Sequence, residues 1–290
     1  MRMLMPLVSN DEMTEFATGL DHPEGLCVGV DGTVWAGGEA GQIYRIEAGK
    51  AVEAANCSGF TAGLATDADG RVYACDFANA SIWRTTRRGL LELFCDQFGD
   101  RKLKAPNWGA FAPDGSYYVS DSGGFGTSDG CIGVVPPDGI SRVWTDVPCR
   151  FPNGLAVSPE GDALYVVESN PKPRLSRFPI HADGSCGNGS VVVEFPETEW
   201  PDGVACAENG ALLISCYRPD RIYLWRPDDG LIILAEDPLG VILAAPTNIA
   251  FFGDTLEELL TTNLGRWHLT RLPARVRGTR LHYPNFPGRS

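Results

Sequence analysis

Four residues with metal-binding oxygen atoms occupy the same position of a repeated motif. The motif places a Pro before the residue and an Asp-Gly-type turn, such as Asp31-Gly32, seven residues after it. Six copies, of which the second and the sixth are degenerate, follow one another at intervals of 38 to 49 residues, and the residues in this column are Glu24, Ala62, Asn107, Asn153, Asp202 and Thr247. Carboxylate and amide oxygens are ligands that Ca²⁺, Mg²⁺ and Mn²⁺ prefer. A single Pro-Asn-Gly triplet is an ordinary turn, so the recurrence is what indicates a metal site.

The elements around the motif predict how these residues could meet. A period near 45 residues is typical of propeller blades. In each unit a short apolar run follows the motif, the turn tolerates the positive φ of a tight hairpin, and further strand patterns follow. Outer strands are predicted at residues 90–94, 141–144, 190–195 and 230–235. We therefore predict an all-β fold, a six-bladed β-propeller with four antiparallel strands per blade. A set of β-sandwiches would not explain turns at one constant offset.

The two ends of the chain suggest how the ring closes. The sixth unit has no fourth strand pattern after Arg271, while residues 13–18 have no partner before the first motif. We predict that this N-terminal strand completes the last blade, which would remove exposed edges. Residues 1–290 are then a single domain. The tail, 272–290, contains four Arg and no acidic residue, and it could dock on the acidic body, bind a second subunit or fray.

The innermost strand of each blade lines the central channel, so the column residues should form a ring at one mouth. Glu24, Asn107, Asn153 and Asp202 would supply two carboxylates and two amides. Two negative charges would balance a dication. Without the cation, facing carboxylates in a partly dry channel would repel each other and shift their pKa values.

Three motifs carry a resemblance to a known family: Pro23-Glu24-Gly25, residues 150–156 (RFPNGLA) and Pro201-Asp202-Gly203. They resemble those of the senescence-marker protein/gluconolactonase/luciferin-regenerating-enzyme family, and the resemblance covers nearly the whole chain. It implies a six-bladed propeller that holds a divalent cation in its channel and hydrolyses lactones. It also implies Glu24, Asn153 and Asp202 as metal ligands and Asn107 as the contact to the metal's water or to substrate. Ca²⁺ is the cation expected first, with Zn²⁺, Mg²⁺ and Mn²⁺ as alternatives.

Two positions depart from the family's pattern around the third unit. Sugar lactonases of the family commonly have Arg two residues before the Asn and Asp just after it, where this chain has Ala105 and Trp108. A sugar lactone is therefore a less suitable substrate. Trp108 instead predicts a more apolar or aromatic wall.

Residues about fifteen positions after the column should return to the same mouth. They are Glu39, Asp76, Asp121, Ser122, Glu168, Ser169, Tyr217, Arg218 and Asn263. We predict substrate contacts from Asp121, Tyr217 and Arg218. Arg218 could orient an anionic group or pair with Asp220. The Gly-rich loop 121–130 could act as a lid or be an ordinary mobile loop.

Composition restricts the partners. The net charge of −13 argues against nucleic acid, which needs a basic face, and weakly against an anionic membrane surface. Nine Cys occur without CxxC pairs, and no long apolar run resembles a signal peptide or membrane helix. We expect a cytoplasmic protein with reduced thiols, a small-molecule substrate, and a monomeric or small homo-oligomeric state.

These inferences lead to one main hypothesis. The chain is predicted to be a metal-dependent hydrolase of a lactone or related ester, in which the cation polarises the carbonyl and lowers the pKa of bound water. Asp202 would be both a ligand and the general base, or else a nucleophile. One alternative is a non-catalytic binding or sensor propeller with a structural metal. Another is a strictosidine-synthase-like propeller, which would not need the metal ring.

Overall fold

The computed structural model describes residues 5–86 and 89–286, and its regular structure is almost entirely β. A 3₁₀ turn at Asn10–Glu12 comes first. The strands of the first half are β1 (Thr14–Thr18), β2 (Leu26–Val28), β3 (Val34–Gly37), β4 (Gln42–Glu47), β5 (Lys50–Asn56), β6 (Thr61–Thr66), β7 (Val72–Asp76), β8 (Ser81–Thr85), β9 (Leu91–Cys95), β10 (Gln97–Phe98), β11 (Arg101–Lys102), β12 (Pro106–Phe111), β13 (Tyr117–Asp121), β14 (Cys131–Val135) and β15 (Arg142–Thr145). Those of the second half are β16 (Pro152–Val157), β17 (Ala163–Glu168), β18 (Arg174–Pro179), β19 (Ser190–Glu194), β20 (Trp200–Cys206), β21 (Leu212–Arg218), β22 (Arg221–Arg226), β23 (Gly230–Glu236), β24 (Pro246–Phe252), β25 (Glu258–Asn263) and β26 (His268–Pro273).

The strands form antiparallel sheets that follow chain order. Four sheets have four strands each: β6 to β9, β12 to β15, β16 to β19, and β20 to β23. An eight-stranded sheet has the order β2-β3-β4-β5-β1-β26-β25-β24. The predicted outer strands correspond to β9, β15, β19 and β23. The majority of their ends differ from the prediction by one residue. The short pair β10–β11, in the connection to β12, was not expected from the sequence.

The N-terminal strand pairs with the last strand, as the sequence predicts. β1 runs antiparallel to β26, with Thr14 opposite Arg271 and Thr18 opposite His268. A single parallel pair, Thr18 with Lys50, joins β1 to β5 and makes the eight-stranded sheet continuous. Both chain ends therefore contribute to one sheet and protect its edge.

The first strands of the units enclose an axis. β2, β6, β12, β16, β20 and β24 contact one another in chain order, and β24 contacts β2. A cavity of about 460 Å³ lies along this axis and is lined mainly by apolar residues of these strands, including Leu26, Trp108 and Ile249. The architecture is an all-β, propeller-like fold, and the start of each first strand is placed at one mouth of the channel.

Close approach between these first strands requires glycine directly after four of the six column residues. A Cβ added to Gly63 would lie 2.4 Å from the carbonyl oxygen of Asn107. One added to Gly154 would lie 2.4 Å from the carbonyl oxygen of Asp202. Since both neighbours are backbone atoms, they cannot rotate away, and the packing fixes the relative position of adjacent ring residues.

We expect Gly154→Ala to destabilise the fold and to weaken cation binding together. The added methyl group should cost about 1–3 kcal/mol of unfolding free energy, as overpacking does, and should displace the Asp202 backbone. Gly265→Ala is the milder comparison, because its Cβ would lie 3.1 Å from the Ala244 carbonyl oxygen, whereas that of Gly154 would lie 2.4 Å from the Asp202 carbonyl oxygen. Thermal unfolding with and without calcium measures both effects. Equal behaviour of the two variants would contradict the argument.

The sheets pack on one another through apolar faces. Between β6 to β9 and β12 to β15, the ring of Tyr73 lies 4.9 Å from those of both Phe94 and Phe111. All nine Cys are free thiols, most of them buried, as expected. Within the described residues, no helix has the length and apolar character to cross a membrane.

The C-terminal segment crosses the far end of the channel, opposite the ring residues. Gly278 pairs with Ala207, the Tyr283 hydroxyl donates to the Val28 carbonyl at 2.8 Å, and the Ala68 N–H donates to the Pro284 carbonyl at 3.0 Å. Arg275 also pairs with Glu12. Residues 272–286 dock on the acidic body, which was one of the three alternatives considered for the tail. Arg289 lies outside the described residues.

Candidate metal and substrate site

The four predicted ring residues are buried, and each has an unpartnered oxygen. Glu24, Asn107, Asn153 and Asp202 are 5%, 4%, 3% and 7% exposed. Glu24 Oε2, Asn107 Oδ1, Asn153 Oδ1 and Asp202 Oδ1 are buried without a hydrogen-bond partner. Buried polar atoms are nearly always paired with protein, water or an ion. Four orphaned oxygens on one ring of strands are therefore the feature that a cation site would explain.

The two carboxylates disfavour each other's charge. Burial raises the pKa of Glu24 well above its usual range, the charge of Asp202 raises it further, and the Thr247 hydroxyl partly opposes the shift. Burial also raises the pKa of Asp202 to about 7, with the Asn153 amide acting in the opposite direction. Glu24, Asn153 and Asp202 therefore share one poorly hydrated space, in which a cation would stabilise both carboxylates as anions.

The donor set fits a hard divalent cation. Two carboxylates and two amide oxygens match the oxygen ligands of Ca²⁺ or Mg²⁺ in type and charge, and no Cys or His belongs to the column. The two other column positions add no ligand atom for a cation. Ala62 has none, and the Thr247 hydroxyl donates to the Glu24 carbonyl at 3.2 Å.

Hydroxyl groups on the second strands hold the ring across neighbouring units. Ser120 Oγ donates to the Asn153 carbonyl at 2.7 Å, and Thr262 Oγ1 donates to the Glu24 carbonyl at 2.9 Å. Ser169 Oγ accepts from Asn153 Nδ2 at 3.2 Å, which leaves Asn153 Oδ1 as the free atom. These hydroxyls were missed from the sequence, although Ser120 and Thr262 occupy the same position of β13 and β25.

Most of the residues that lie about fifteen positions after the ring column have a structural role. The substrate contact predicted for Asp121 is therefore wrong. Asp121 is completely buried, and its Oδ1 accepts the Ala105 N–H at 2.8 Å. Glu168 similarly accepts the Arg150 N–H at 3.1 Å. These carboxylates cap the loops that lead into the ring motifs, so their acceptors are used by backbone rather than open to substrate.

Trp108 is 6% exposed, and its ring reaches across the channel. Its Cη2 would lie 2.8 Å from a Cβ on Gly203, the residue after Asp202. The apolar wall expected from the sequence thus lies next to the ring and also lines the axial cavity.

Arg218 pairs with Asp220, which is one of the two alternatives considered from the sequence, and it also lies over the ring of Tyr217. Its guanidinium is 4.9 Å from the ring centroid of Tyr217 and its Nη1 is 3.3 Å from Asp220 Oδ1. The side chain is half exposed, so the ion pair with Asp220 leaves one face of Arg218 towards solvent.

A row of aromatic side chains at the mouth was also missed. It consists of Phe60, Phe77, Phe151, Phe125, Trp200 and Tyr217, which we call the aromatic wall. Successive rings are 5.3 to 6.4 Å apart between centroids. The sequence signal was available, because the residues two positions before the ring column are His22, Phe60, Ala105, Phe151, Trp200 and Ala245.

A separate acidic group lies at the rim. Asp21, His22 and Glu39 each offer one atom that could bind a metal ion, and these three atoms lie within 4.8 Å of one another. They are the group of His, Cys, Asp or Glu side chains with this property among the described residues. His22 Nδ1 is 3.1 Å from Asp21 Oδ1 and 3.3 Å from Glu39 Oε2, and Gln42 donates to Asp21. These atoms are partners of one another and are partly exposed, unlike the four ring oxygens.

Comparison with known proteins identifies relatives with the same architecture. A family model described as the SMP-30/Gluconolactonase/LRE-like region matches residues 39–264. The match includes Asn107, Asn153 and Asp202, whereas Glu24 precedes it. A gluconolactonase of Zymomonas mobilis subsp. mobilis is 24% identical over 187 residues, or 57% of this chain. The aligned part spans only 51% of that relative's length.

Solved structures resemble the chain over most of its length. A gluconolactonase of Xanthomonas campestris superposes with a TM-score of 0.77 at 22% identity, covering 90% of this chain and 89% of that one. A calcium-binding protein, regucalcin, from Agrobacterium tumefaciens strain C58 gives 0.73 at 18% identity, covering 93% and 96%. At such identities these likenesses show the fold. The family model, in contrast, extends over well more than half of the chain, and the protein belongs to the SMP-30/gluconolactonase/LRE-like family.

Proposed function

We propose that the protein is a divalent-metal-dependent hydrolase of a lactone or related ester. The observation that carries the proposal is that Glu24, Asn107, Asn153 and Asp202, at equivalent positions of four units, each have a buried oxygen without a hydrogen-bond partner. The gluconolactonases among its relatives support a lactone as the substrate class.

Glu24, Asn153 and Asp202 would hold the cation. The mixture of carboxylate and amide oxygens favours Ca²⁺, and the calcium-binding description of the regucalcin relative supports the same choice. When bound, a divalent cation polarises a carbonyl oxygen and stabilises the charge that develops on it.

Asp202 is the proposed general base. A bound cation would hold Asp202 as the anion, which is the form that a general base needs. Asp202 accepts a proton from the water that attacks the lactone carbonyl carbon. As the ring C–O bond breaks, the proton passes to the alkoxide oxygen, giving a hydroxy acid. Asn107 Oδ1 can accept a hydrogen bond from the attacking water, and Trp108 keeps other water out.

The same proposal includes the complete architecture. We propose that each of the six first strands is the innermost strand of one blade, so that the eight-stranded sheet is two blades joined at Thr18 and Lys50. The chain would then be one domain. A small-molecule substrate and a monomeric or small homo-oligomeric state complete the proposal.

Removal of the cation is the direct test. We expect dialysis against a chelator to lower lactone hydrolysis at least about 100-fold, because the charge stabilisation is worth several kcal/mol, and added calcium to restore it. Elemental analysis before and after dialysis, with a panel of lactones, measures both quantities. Glu39→Gln tests whether the rim group of Asp21, His22 and Glu39 holds the cation instead, and we expect it to keep the calcium content and activity of wild type. Hydrolysis that survives complete cation removal would contradict the proposal, and bound calcium without turnover would favour a binding propeller.

A further inference from the structure

The aromatic wall is partly exposed to solvent. Phe125 is 62% exposed, and the other five members, among them Phe151 and Trp200, are partly exposed. Its members contact one another at the mouth and do not belong to the buried clusters between the sheets. Contiguous exposed apolar surface commonly marks a binding site.

The repeat places this wall beside the ring. Phe151 precedes the ring residue Asn153 by two positions, and Trp200 precedes Asp202 by two. Two residues of extended chain span about 7 Å. A molecule whose carbonyl group lies at Asp202 would therefore bring its nearest substituents to Trp200 and Phe151.

The loop 121–130 presents Phe125 to the wall. Asp129 Oδ1 accepts the Gly124 N–H at 2.9 Å, and the Lys104 ammonium, 2.5 Å from Asp129 Oδ2, holds the pKa of that carboxyl well below its usual range. With the loop closed in this way, the Phe125 ring lies 5.3 Å from Phe151 and 5.8 Å from Trp200, edge-on to both. This is a favourable aromatic geometry.

The wall offers little to a polyhydroxylated group. Ala105 and Ala245 occupy two of the six positions that lie two residues before the ring column, and neither offers a hydrogen-bonding side chain. Trp200 and Tyr217 are nearly parallel, with 10° between their planes. A further planar ring can extend such a row, whereas several hydroxyl groups would lose their hydration there without equivalent partners.

We propose that the aromatic wall is the subsite for an aryl or arylalkyl substituent of the substrate. The substrate class is then a lactone or ester carrying an aromatic group, rather than a sugar lactone. The inference rests on the proposed function for the position of the carbonyl group. It adds a second recognition element, centred on Phe125, Trp200 and Tyr217, that acts on the part of the substrate remote from the reacting bond.

Paired substrates test the subsite. We expect γ-phenyl-γ-butyrolactone to show a kcat/KM about tenfold above that of γ-butyrolactone, and D-glucono-δ-lactone to be the poorest of the three. Phe125→Ala and Trp200→Ala should each reduce the phenyl preference, the ratio of the two kcat/KM values, about fivefold. Phe125 lies in an exposed loop, so its variant should fold. Leu93→Ala, at an exposed residue of β9, is the matched control.

The outcomes separate the subsite from the hydrolase. If γ-butyrolactone is hydrolysed but the phenyl preference is absent, or persists in both variants, the subsite is refuted and the hydrolase stands. If no lactone is hydrolysed, the hydrolase is refuted and calorimetric binding of 4-hydroxy-4-phenylbutanoate decides about the subsite. Binding weakened in Phe125→Ala and Trp200→Ala but not in Leu93→Ala supports it. Absent binding, or binding that neither variant changes, overturns it.

Discussion

Replacing Asp202 with Asn is expected to lower kcat/KM for a hydrolysed lactone by about 10³-fold, with the protein still folded. General-base catalysis commonly contributes 10²–10⁴-fold, and the substitution removes the base while keeping the size and one oxygen of the side chain. The fold should tolerate it, because Asp202 Oδ1 has no hydrogen-bond partner to lose. Steady-state kinetics and thermal unfolding measure the two effects separately.

A second variant distinguishes the base from a simple ligand. Glu24→Gln also removes one charge from the ring, but it leaves Asp202 in place. Its activity should fall through weaker cation binding and recover at high calcium concentration, whereas Asp202→Asn should stay inactive at saturating calcium. If Asp202→Asn comes within tenfold of wild type at saturating calcium, Asp202 is not the base.

The ring could be predicted from sequence because its position is defined by repetition. Each motif residue lies within two residues of the start of a first strand, and a glycine follows it where neighbouring strands approach closely, as at Gly63 and Gly154. The backbone constraint and the oxygen-bearing side chains therefore appear together in the printed sequence. The same reasoning predicted the pairing of the N-terminal strand with β26, because an unmatched strand pattern remained at each end.

Side-chain direction was not available from the same pattern. Asp121 and Tyr217 both lie near the end of a second strand, yet Asp121 turns to the Ala105 N–H and Tyr217 to the mouth. The direction of such a side chain depends on which backbone N–H groups the preceding loop leaves unpaired. The path of a loop, such as the connection that contains β10 and β11, has no periodic signal in the sequence. The aromatic wall was missed for another reason, since its column mixes Phe and Trp with His22, Ala105 and Ala245 and so has no single chemical character.

Calcium should stabilise the protein much more at pH 8 than at pH 5. In the cation-free folded protein the pKa of Asp202 is about 7, against an ordinary value of 3.8. The protonated form is therefore favoured by folding. This contribution is complete below pH 3.8 and is lost as the pH rises through about 7. At pH 8 the cation-free protein therefore carries the buried Asp202 carboxylate without a compensating charge, which makes folding less favourable than at pH 5.

Because the cation binds the ionised ring, its affinity should rise over the same interval. We expect millimolar calcium to raise the melting temperature by about 5–10 °C at pH 8 and by about 1–2 °C at pH 5. Other carboxylates also titrate below pH 5, so the informative quantity is the calcium-induced shift at each pH, compared between wild type and Asp202→Asn. In the variant the ring has lost the group that titrates near 7, so the calcium-induced shift at pH 8 should become much smaller, and its remaining pH dependence should come from Glu24. A calcium-induced shift that is equal at the two pH values in wild type would mean that the cation binds elsewhere, because no site built on Asp202 and Glu24 can bind a cation without displacing protons at pH 5.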